Sequence, residues 1–419
     1  MSELRVGAVG SDRPARSQQG ARIDHQGLFP STNSDGTLVT FLDAAMRVAP
    51  GDAPTLVDAV RQVLGAQGAR MFVADYSLRR LQQLDVDGPV GVALDLAGTM
   101  AGRAFASGEL TVTVGHPTTV CIPLVDGTDR IGLLELDFHA WPGELPPSWQ
   151  RVIAVFVMVL VTTSRYGDLW VRARRSEPLS PAAELQWDLL PPLSCSTDEV
   201  GVGGVLEPAY EIGGDSFDYA VNGHRLDFAI VDAVGHGMSS VLMSTSAINS
   251  LRSARRSGAS LQTAYREADQ VIATQFGDAN YVTGQFGSLD TSSGVLTWLN
   301  AGHELPMLVR NGTYAGQLQC APSMPLGLGG PVVQVATEPL QRRDRVLFYT
   351  DGIVESRSPE GVFFGEDRLA DFLVRASLEN IPVAETARRL SANVVEWVGD
   401  HLRDDATLLL VEFHKSTTP

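Results

Sequence analysis

Two aspartates, Asp215 and Asp232, stand at the far ends of two alternating apolar segments that are predicted to pair as a β-hairpin. The dipeptide Asn222-Gly223 lies between these segments, and Asn-Gly favours a two-residue turn because it tolerates positive φ. Pairing around this turn brings the two carboxylates to the same edge of the sheet. The glycines beside them allow the backbone to approach a ligand closely. The pattern therefore predicts a site for a hard cation.

Two further acidic positions lie at the ends of apolar segments. Asp351 follows a predicted strand and precedes Gly352, and the pair Asp404-Asp405 comes just before the last predicted strand. A single aspartate of this kind is more often a turn or cap residue, but four at comparable strand ends predict one shared site. Oxygen ligands without neighbouring Cys or a His-x-x-x-His spacing select Mg²⁺ or Mn²⁺ over Zn²⁺.

Such a carboxylate set has a known use in phosphoryl chemistry. A two-metal site holds ions about 3.5–4 Å apart, lowers the pKa of a bridging water and clamps a phosphoryl group for in-line attack. The reaction class that the sequence favours is therefore phosphoester hydrolysis.

Composition and charge restrict the remaining function classes. The 419 residues are 44% hydrophobic, which is typical of globular domains, and the net charge of -17 argues against a nucleic-acid or anionic-membrane surface. Three widely spaced cysteines fit a reducing compartment and predict a cytoplasmic protein. Residues 1–36 are polar and predict a flexible tail, not a signal peptide. The apolar segment 152–161 is shorter than the ~20 residues of a spanning helix, so we expect no membrane insertion.

Residues 37–145 alternate helical and strand patterns, as expected of a small α+β domain. Helical spacing covers residues 56–64, and hairpins are predicted at 70–84 and 120–138. This order resembles a GAF-like sensor domain, above all in the segment Gly102-Arg-Ala-Phe-Ala-Ser-Gly-Glu109 and the final strand Ile131-Gly-Leu-Leu-Glu-Leu136. The resemblance names no ligand, so the signal is unknown. The alternative is a domain that serves only dimerisation or scaffolding.

Residues 146–181 are predicted to form a helical linker. The segment 147–175 fits one long helix, apolar at first and Arg-rich at its end, where positive charge suits the helix dipole. A homodimer through this helix is one possibility. Prolines then break the pattern, and residues 182–191 form a short amphipathic helix that opens the C-terminal domain, 182–419. There, many antiparallel-looking strands with paired helices predict an α+β sandwich with helices on both outer faces.

Several motifs in this domain occur in the order seen in bacterial PP2C-type phosphatases of the SpoIIE/RsbU kind, and the match covers about residues 182–414. The motifs are Leu185-Gln-x-x-Leu-Leu-Pro191, Gly213-Gly-Asp-Ser-Phe-Asp218, Val231-Asp-x-x-Gly-His-Gly237, Asn300-Ala-Gly-His303, Pro325-Leu-Gly327, Tyr349-Thr-Asp-Gly352, Phe364-Gly365 and Asp404-Asp-x-Thr407. The resemblance implies a metal-dependent Ser/Thr phosphatase with an α-β-β-α sandwich and two Mn²⁺ or Mg²⁺ ions. It also implies a phosphorylated STAS-domain anti-sigma-factor antagonist as the substrate.

The resemblance also assigns roles to individual residues. Asp232 resembles the carboxylate that bridges both metals, and the carbonyl of Ala233 is a further ligand. The remaining metal ligands implied are Asp215, Asp351 and Asp404; Asp218 and Asp405 would orient metal-bound water, and His236 would hold the turn after Asp232 or act as a general acid. The sequence departs from the family at Ser216-Phe217 and at Glu304, and neither change removes a metal ligand.

The short helix 182–191 is a candidate regulatory element. It lies between the predicted sensor and catalytic domains, where movement of the linker would enter the catalytic domain. We expect Leu185, Gln186, Leu189 and Leu190 to carry this coupling.

Two other functions compete with this interpretation. Gly213-Gly-Asp-Ser-Phe217 resembles the Gly-Gly-Asp-Glu-Phe signature of nucleotide cyclases, but it lacks the acidic fourth residue, and Asp351 and Asp404 have no place in that fold. The second alternative is a non-catalytic module that binds its partner through a degenerate phosphatase domain. Degeneration usually removes metal carboxylates, and all four are present here.

Overall fold

The structure is a computed structural model that describes residues 34–49, 51–85, 88–208, 210, 213–277, 279–399, 402 and 404–415. The predicted flexible tail therefore lies outside the described residues except for positions 34–36, which begin the first helix.

An antiparallel six-stranded sheet forms the centre of the N-terminal domain, with strand order β3-β2-β1-β6-β5-β4. Its strands are β1 (Gly68–Ala74), β2 (Arg80–Asp85), β3 (Gly88–Asp95), β4 (Thr111–Thr113), β5 (Thr118–Asp126) and β6 (Asp129–Phe138). Its helices are α1 (Ser34–Ala45), α2 (Ala53–Leu64), α3 (Met100–Ser107), α4 (Pro147–Ser164) and α5 (Leu169–Ala173). Helices α1, α2 and α4 bury apolar side chains on one face, and α3 covers the other face.

Local sequence explains why these elements form where they do. Asp52 caps α2 by accepting a hydrogen bond from the Thr55 amide, and Gly65 ends the helix at φ 68°. The predicted hairpins are confirmed, because β1 pairs antiparallel with β2 and β5 with β6.

The single long helix predicted over residues 147–175 is wrong, because the segment forms two helices, α4 and α5. The break at residues 165–168 includes Gly167. Packing explains this break. A continuous helix advances 1.5 Å per residue, so residues after 164 would extend beyond the domain. After the break, Ala173 and Trp170 instead return to the core that α4 covers.

Helix α4 is, within the described part of the chain, the one helix long and apolar enough to cross a membrane by length and composition. Its Val152, Phe156 and Leu160 are buried in the N-terminal core. These residues form one buried stripe, and 28% of the 18-residue segment is buried in all.

The C-terminal domain is a sandwich of two antiparallel sheets, with strand orders β15-β12-β11-β10-β9 and β14-β13-β16-β17-β8-β7. The strands are β7 (Ser194–Ser196), β8 (Val200–Glu207), β9 (Asp215–Asn222), β10 (Arg225–Ala233), β11 (Val282–Asp290), β12 (Val295–Ala301), β13 (Met307–Arg310), β14 (Thr313–Gln317), β15 (Ala336–Pro339), β16 (Arg345–Tyr349) and β17 (Ala406–Phe413). The helices are α6 (Pro181–Leu189), α7 (Met238–Arg256), α8 (Leu261–Phe276), α9 (Asp351–Val354), α10 (Gly365–Leu378) and α11 (Val383–Val398).

Three apolar layers hold this sandwich together. Phe217, Phe228 and Phe348 lie among the side chains packed between the two sheets. Helices α7 and α8 cover the outer face of the first sheet, and α10 and α11 cover that of the second. The α-β-β-α sandwich predicted for this domain is confirmed.

The predicted hairpin forms, and Asp215 lies directly opposite Asp232 in the β9–β10 register. Its turn lies one residue later than expected, because Asn222 pairs with Arg225 and leaves Gly223 and His224 in the loop. Gly223 supplies the positive φ, 58°. We did not predict strand β8, whose segment Val-Gly-Val-Gly-Gly-Val-Leu-Glu contains three glycines, although it lies inside the second sheet.

Candidate metal centre

The four predicted carboxylates come together where the ends of the two sheets meet. Asp232 lies near the end of β10 in the first sheet, Asp351 begins α9 directly after β16, and Asp404 precedes β17 in the second sheet. All three line one polar cavity of about 240 Å³. Asp215, opposite Asp232, is buried behind it and is 2% exposed.

Glycines permit the close backbone contacts that shape this centre. A Cβ atom on Gly214 would lie 2.1 Å from the Ala233 carbonyl oxygen, and one on Gly352 would lie 1.7 Å from the Asp405 carbonyl oxygen. Neither clash is relieved by a side-chain rotation, because both partners are backbone atoms. The Gly-Gly-Asp and Asp-Gly motifs therefore reflect packing as well as turn geometry.

Asp215 is held by Thr350, which is in turn bonded to Thr407 of the second sheet. The Thr350 hydroxyl donates to Asp215 Oδ2 at 2.7 Å, and the Thr407 amide donates to Thr350 Oγ1 at 3.0 Å. Burial, followed by the nearby charges of Asp232 and Asp405, raises the pKa of Asp215 well above its ordinary value.

Mutual repulsion also affects the other carboxylates. Burial and then the charges of Asp351 and Asp404 raise the pKa of Asp232 to about 6. Burial and then the charge of Asp404 raise the pKa of Asp351. A bound divalent cation would offset this repulsion, and the all-oxygen donor set is the kind that Mg²⁺ and Mn²⁺ prefer. Among the described residues, no three His, Cys, Asp or Glu side chains are already arranged to hold a metal. The donor atoms are of the type that such an ion prefers, but the side chains are too far from one another to share an ion without moving.

Asp405 stabilises the backbone of the centre. Its carboxylate accepts hydrogen bonds from the amides of Gly213, at 2.8 and 3.0 Å, and of Asp215, at 3.2 Å. It therefore fixes the start of β9 beside the cavity, and burial raises its pKa to about 6.

Asp218 has a different environment from the one we expected. Side chains alternate along a strand, so Asp218 lies on the face of β9 opposite Asp215, under α7. There it accepts hydrogen bonds from Arg252, at 2.8 and 3.0 Å, and from Arg255, at 2.7 Å. A role in orienting metal-bound water is inconsistent with this position, since the sheet separates Asp218 from the cavity.

The two histidines near the centre have distinct surroundings. His236 is exposed in the turn between Gly235, φ 93°, and Gly237, φ 78°, and it lines a neighbouring groove instead of the acidic cavity. The His303 amide donates to Asn300 Oδ1 at 2.7 Å, which closes a short turn. Its Nδ1 lies 2.9 Å from Thr283 Oγ1, and burial lowers its pKa to about 4.

Glu304 also lines the acidic cavity. Burial, followed by the charge of Asp351, raises its pKa. It therefore adds a fifth carboxylate to the centre.

Helix α6 connects the N-terminal domain to the sheet that carries Asp215. Trp187 packs against Tyr76 of the N-terminal domain, with ring centroids 4.5 Å apart and ring planes tilted by 37°. The Leu189 carbonyl accepts a hydrogen bond at 2.6 Å from Arg252, the same residue that binds Asp218. Leu190 packs against the core between the sheets, and Leu185 is half-buried. Gln186 is 1% exposed, and its side-chain amide has no hydrogen-bond partner among the described residues.

Two positioning residues were missed at the level of sequence. Thr350 lies inside the quoted Tyr-Thr-Asp-Gly motif, yet nothing local indicates that its hydroxyl reaches Asp215. Arg252 is one of several arginines in α7, and the helical period alone does not identify which of them faces β9.

The fold and the acidic centre together define a PP2C-type α-β-β-α domain. Residues 222–414 match the family model of Stage II sporulation protein E (SpoIIE). The C-terminal domain is therefore a PP2C-type domain of the SpoIIE family. The GAF-like resemblance of the N-terminal domain is not tested by this match and stays a prediction.

Parts of the chain are similar to individual proteins. The chain is 24% identical over 222 residues to phosphoserine phosphatase RsbP of Bacillus subtilis (strain 168), covering 51% of this chain and 53% of that protein. It is 31% identical over 111 residues to protein IcfG of Synechocystis sp., covering 26% of this chain and 18% of that protein. The chain thus spans about half the length of the first relative and less than a fifth of the second. Among solved structures, the SiaA-PP2C domain of Pseudomonas aeruginosa is 23% identical with a TM-score of 0.47, over 55% of this chain and 94% of that one.

Proposed function

We propose that this chain is a metal-dependent protein phosphatase that hydrolyses phosphoserine or phosphothreonine. The observation that carries the proposal is that Asp232, Asp351 and Asp404, from both sheets, line one cavity, with Asp215 buried behind it opposite Asp232. Carboxylates that raise each other's pKa in this way favour a bound cation, and relatives that are named phosphoserine phosphatases support the reaction class.

The chain's own residues would divide the work as follows. Asp232, Asp215, Asp351 and Asp404, with the Ala233 carbonyl, would hold two Mn²⁺ or Mg²⁺ ions. When bound, these ions supply an activated water and neutralise charge on the phosphoryl group. Thr350 and Asp405 keep Asp215 and its backbone in place. Asp232 and Asp215 are the residues whose loss we expect to abolish turnover.

The proposed substrate is a phosphorylated STAS-domain anti-sigma-factor antagonist. The basis is the resemblance to the RsbU and RsbP phosphatases, together with the exposed groove beside the centre. That groove is lined by Met238, His236, Leu402 and Pro181, and it has room for a protein segment, with a volume of about 600 Å³.

We propose that α6 regulates the centre. A chain of contacts runs from Tyr76 through Trp187 and the Leu189 carbonyl to Arg252 and Asp218 on β9. Burying the side-chain amide of Gln186 without a hydrogen-bond partner costs free energy. This cost favours a second position of α6 in which the amide forms hydrogen bonds.

The signal would enter through the N-terminal domain, for which we retain the GAF-like interpretation and an unknown ligand. Met158, 67% exposed on the outer side of α4, fits a homodimer contact through that helix. We propose that the protein acts in the cytoplasm.

The direct experiment uses a phosphoserine-bearing STAS-domain protein as substrate for the full chain, with Mn²⁺ or with EDTA. We expect phosphate release that requires Mn²⁺. Tight binding of the phosphoprotein without release in saturating Mn²⁺ would instead support the non-catalytic binding module.

A further inference from the structure

A second cavity lies between the two domains, far from the acidic centre. Its volume is about 490 Å³, within the range of small-molecule pockets. One wall is formed by the end of α3 and the β5–β6 turn, and the opposite wall by β7, the far ends of β16 and β17, and the start of α11. Arg345 begins β16 and Asp351 follows its end, so the two sites are ~20 Å apart at about 3.3 Å per residue.

Three arginines line this interdomain cleft, and two of them already have a carboxylate partner. Arg130, Arg343 and Arg345 line it, against one carboxylate, Glu412, while the chain carries a net charge of -17. Arg345 is bound to Glu412 at 2.6 Å. Arg343 is exposed, and its guanidinium donates a hydrogen bond to the side-chain oxygen of Asn380 at 3.0 Å. Among the described residues, no carboxylate pairs with this guanidinium.

The start of helix α11 borders the same space. Helix α11 is 16 residues long and begins at the cleft with Pro382 as its N-cap, so no side chain caps its first amides. The first amides of a helix lack intrahelical acceptors and favour an anion. Arg345 and Arg130 already have carboxylate partners, Glu412 and Glu385. The first amides of α11 and the Arg343 guanidinium therefore supply the positive potential that is left for an anion.

Arg130 connects the cleft to both domains. Its guanidinium donates to the Phe105 and Ala106 carbonyls at the end of α3, at 2.9 and 2.6 Å, and lies 3.6 Å from Glu385 in the first turn of α11. An anion in the cleft would compete with these carboxylate and carbonyl partners. Binding would therefore alter contacts between the domains.

We propose that this interdomain cleft binds a small phosphate-bearing molecule of nucleotide size. The arginines and the α11 amides hold the phosphate groups, and the space toward the β5–β6 turn accommodates the remainder of the molecule. This binding does not depend on the proposed phosphatase activity.

Isothermal titration calorimetry of the full chain in EDTA and 150 mM salt tests the proposal, with ATP and pyrophosphate as probes. EDTA removes metal-dependent binding at the acidic centre. We expect saturable binding that Arg343→Gln and, from the other wall, Ser107→Glu each weaken at least tenfold. Both positions are exposed, and a melting curve verifies that the variants are folded. Tighter binding of ATP than of pyrophosphate assigns the ligand to nucleotides, and equal binding assigns recognition to the phosphates alone.

Two controls make the test specific. Arg342→Gln changes the neighbouring exposed arginine, which does not line the cleft, and binding should stay within twofold. Asp232→Asn alters the acidic centre and should also leave binding unchanged. The proposal is overturned if neither probe binds at millimolar concentration, if Arg342→Gln weakens binding as much as Arg343→Gln, or if Asp232→Asn abolishes it.

Discussion

At the scale of single residues, the centre depends on groups that hold the carboxylates as much as on the carboxylates themselves. Thr350 bridges Asp215 and the Thr407 amide across the two sheets. The motifs identified Asp215, Asp232, Asp351 and Asp404 because aspartate before or after an apolar strand is visible in sequence. The Thr350 contact joins residues 135 positions apart, and no local pattern encodes such a pairing.

Thr350→Val removes this hydroxyl with little change in shape. Both the Asp215 carboxylate and the Thr407 amide then lose a buried partner, so we expect the free energy of unfolding to fall by about 2 kcal/mol. Urea denaturation of the metal-free protein measures the loss. Thr313→Val, at an exposed position of β14, should stay within about 0.5 kcal/mol of the unchanged protein. Equal stability of the two variants would contradict the role given to Thr350.

Asp232→Asn should stabilise the metal-free protein in a pH-dependent way. The pKa of Asp232 is raised to about 6, so the folded state retains this proton more strongly than the unfolded state does. Stability is therefore lost as pH rises from about 4 to about 6, and the loss persists above that range. The substitution should restore ~1–3 kcal/mol at pH 7.5 and less at pH 5. Urea midpoints in EDTA at the two pH values test this, and a gain that does not grow with pH would contradict it.

At the scale of elements, the β9–β10 hairpin and α6 position the centre. The hairpin was predictable because alternating apolar residues and Asn-Gly are local signals. The turn was misplaced by one residue, since Gly223 supplies positive φ equally well in either register. The break between α4 and α5 was not predictable from helical periodicity, because the return of Trp170 to the core is a tertiary contact.

Arg252→Ala should loosen α6. Arg252 joins the Leu189 carbonyl to Asp218, and Arg255 remains to pair the aspartate after the substitution. We expect faster amide hydrogen exchange over residues 181–190, with little change in the core of the sandwich. Arg256→Ala, at an exposed position of the same helix, is the matched control. If both variants exchange at the rate of the unchanged chain, Arg252 does not hold α6.

At the scale of the whole molecule, the domains share contacts and not only a linker. Tyr76 packs against Trp187 of α6 and lies under the Arg174 guanidinium at 4.4 Å from the ring centroid. Arg79 binds Glu207 of the second domain at 3.0 Å. The sequence predicted two domains and their order, but it carried no signal for these contacts, because each pairs residues that are distant along the chain.

Tyr76→Ala should uncouple the domains. Loss of this aromatic contact removes apolar burial on both sides, so we expect one calorimetric unfolding transition to separate into two, with the lower midpoint several degrees below that of the unchanged chain. Tyr166→Ala, at a position that is 74% exposed, should leave the transition intact. A single transition in both variants would show that the domains are coupled elsewhere.

The most direct test of the central claim is hydrolysis of p-nitrophenyl phosphate by the full chain, measured with Mn²⁺, with EDTA, and for two variants. Asp232→Ala removes the central carboxylate, and Asp290→Ala removes an exposed aspartate at the other end of the same sheet. We predict Mn²⁺-dependent release that Asp232→Ala reduces at least a hundredfold and Asp290→Ala leaves within twofold. Release that persists in EDTA, or that Asp232→Ala does not change, would contradict a metal-dependent phosphatase centred on these carboxylates.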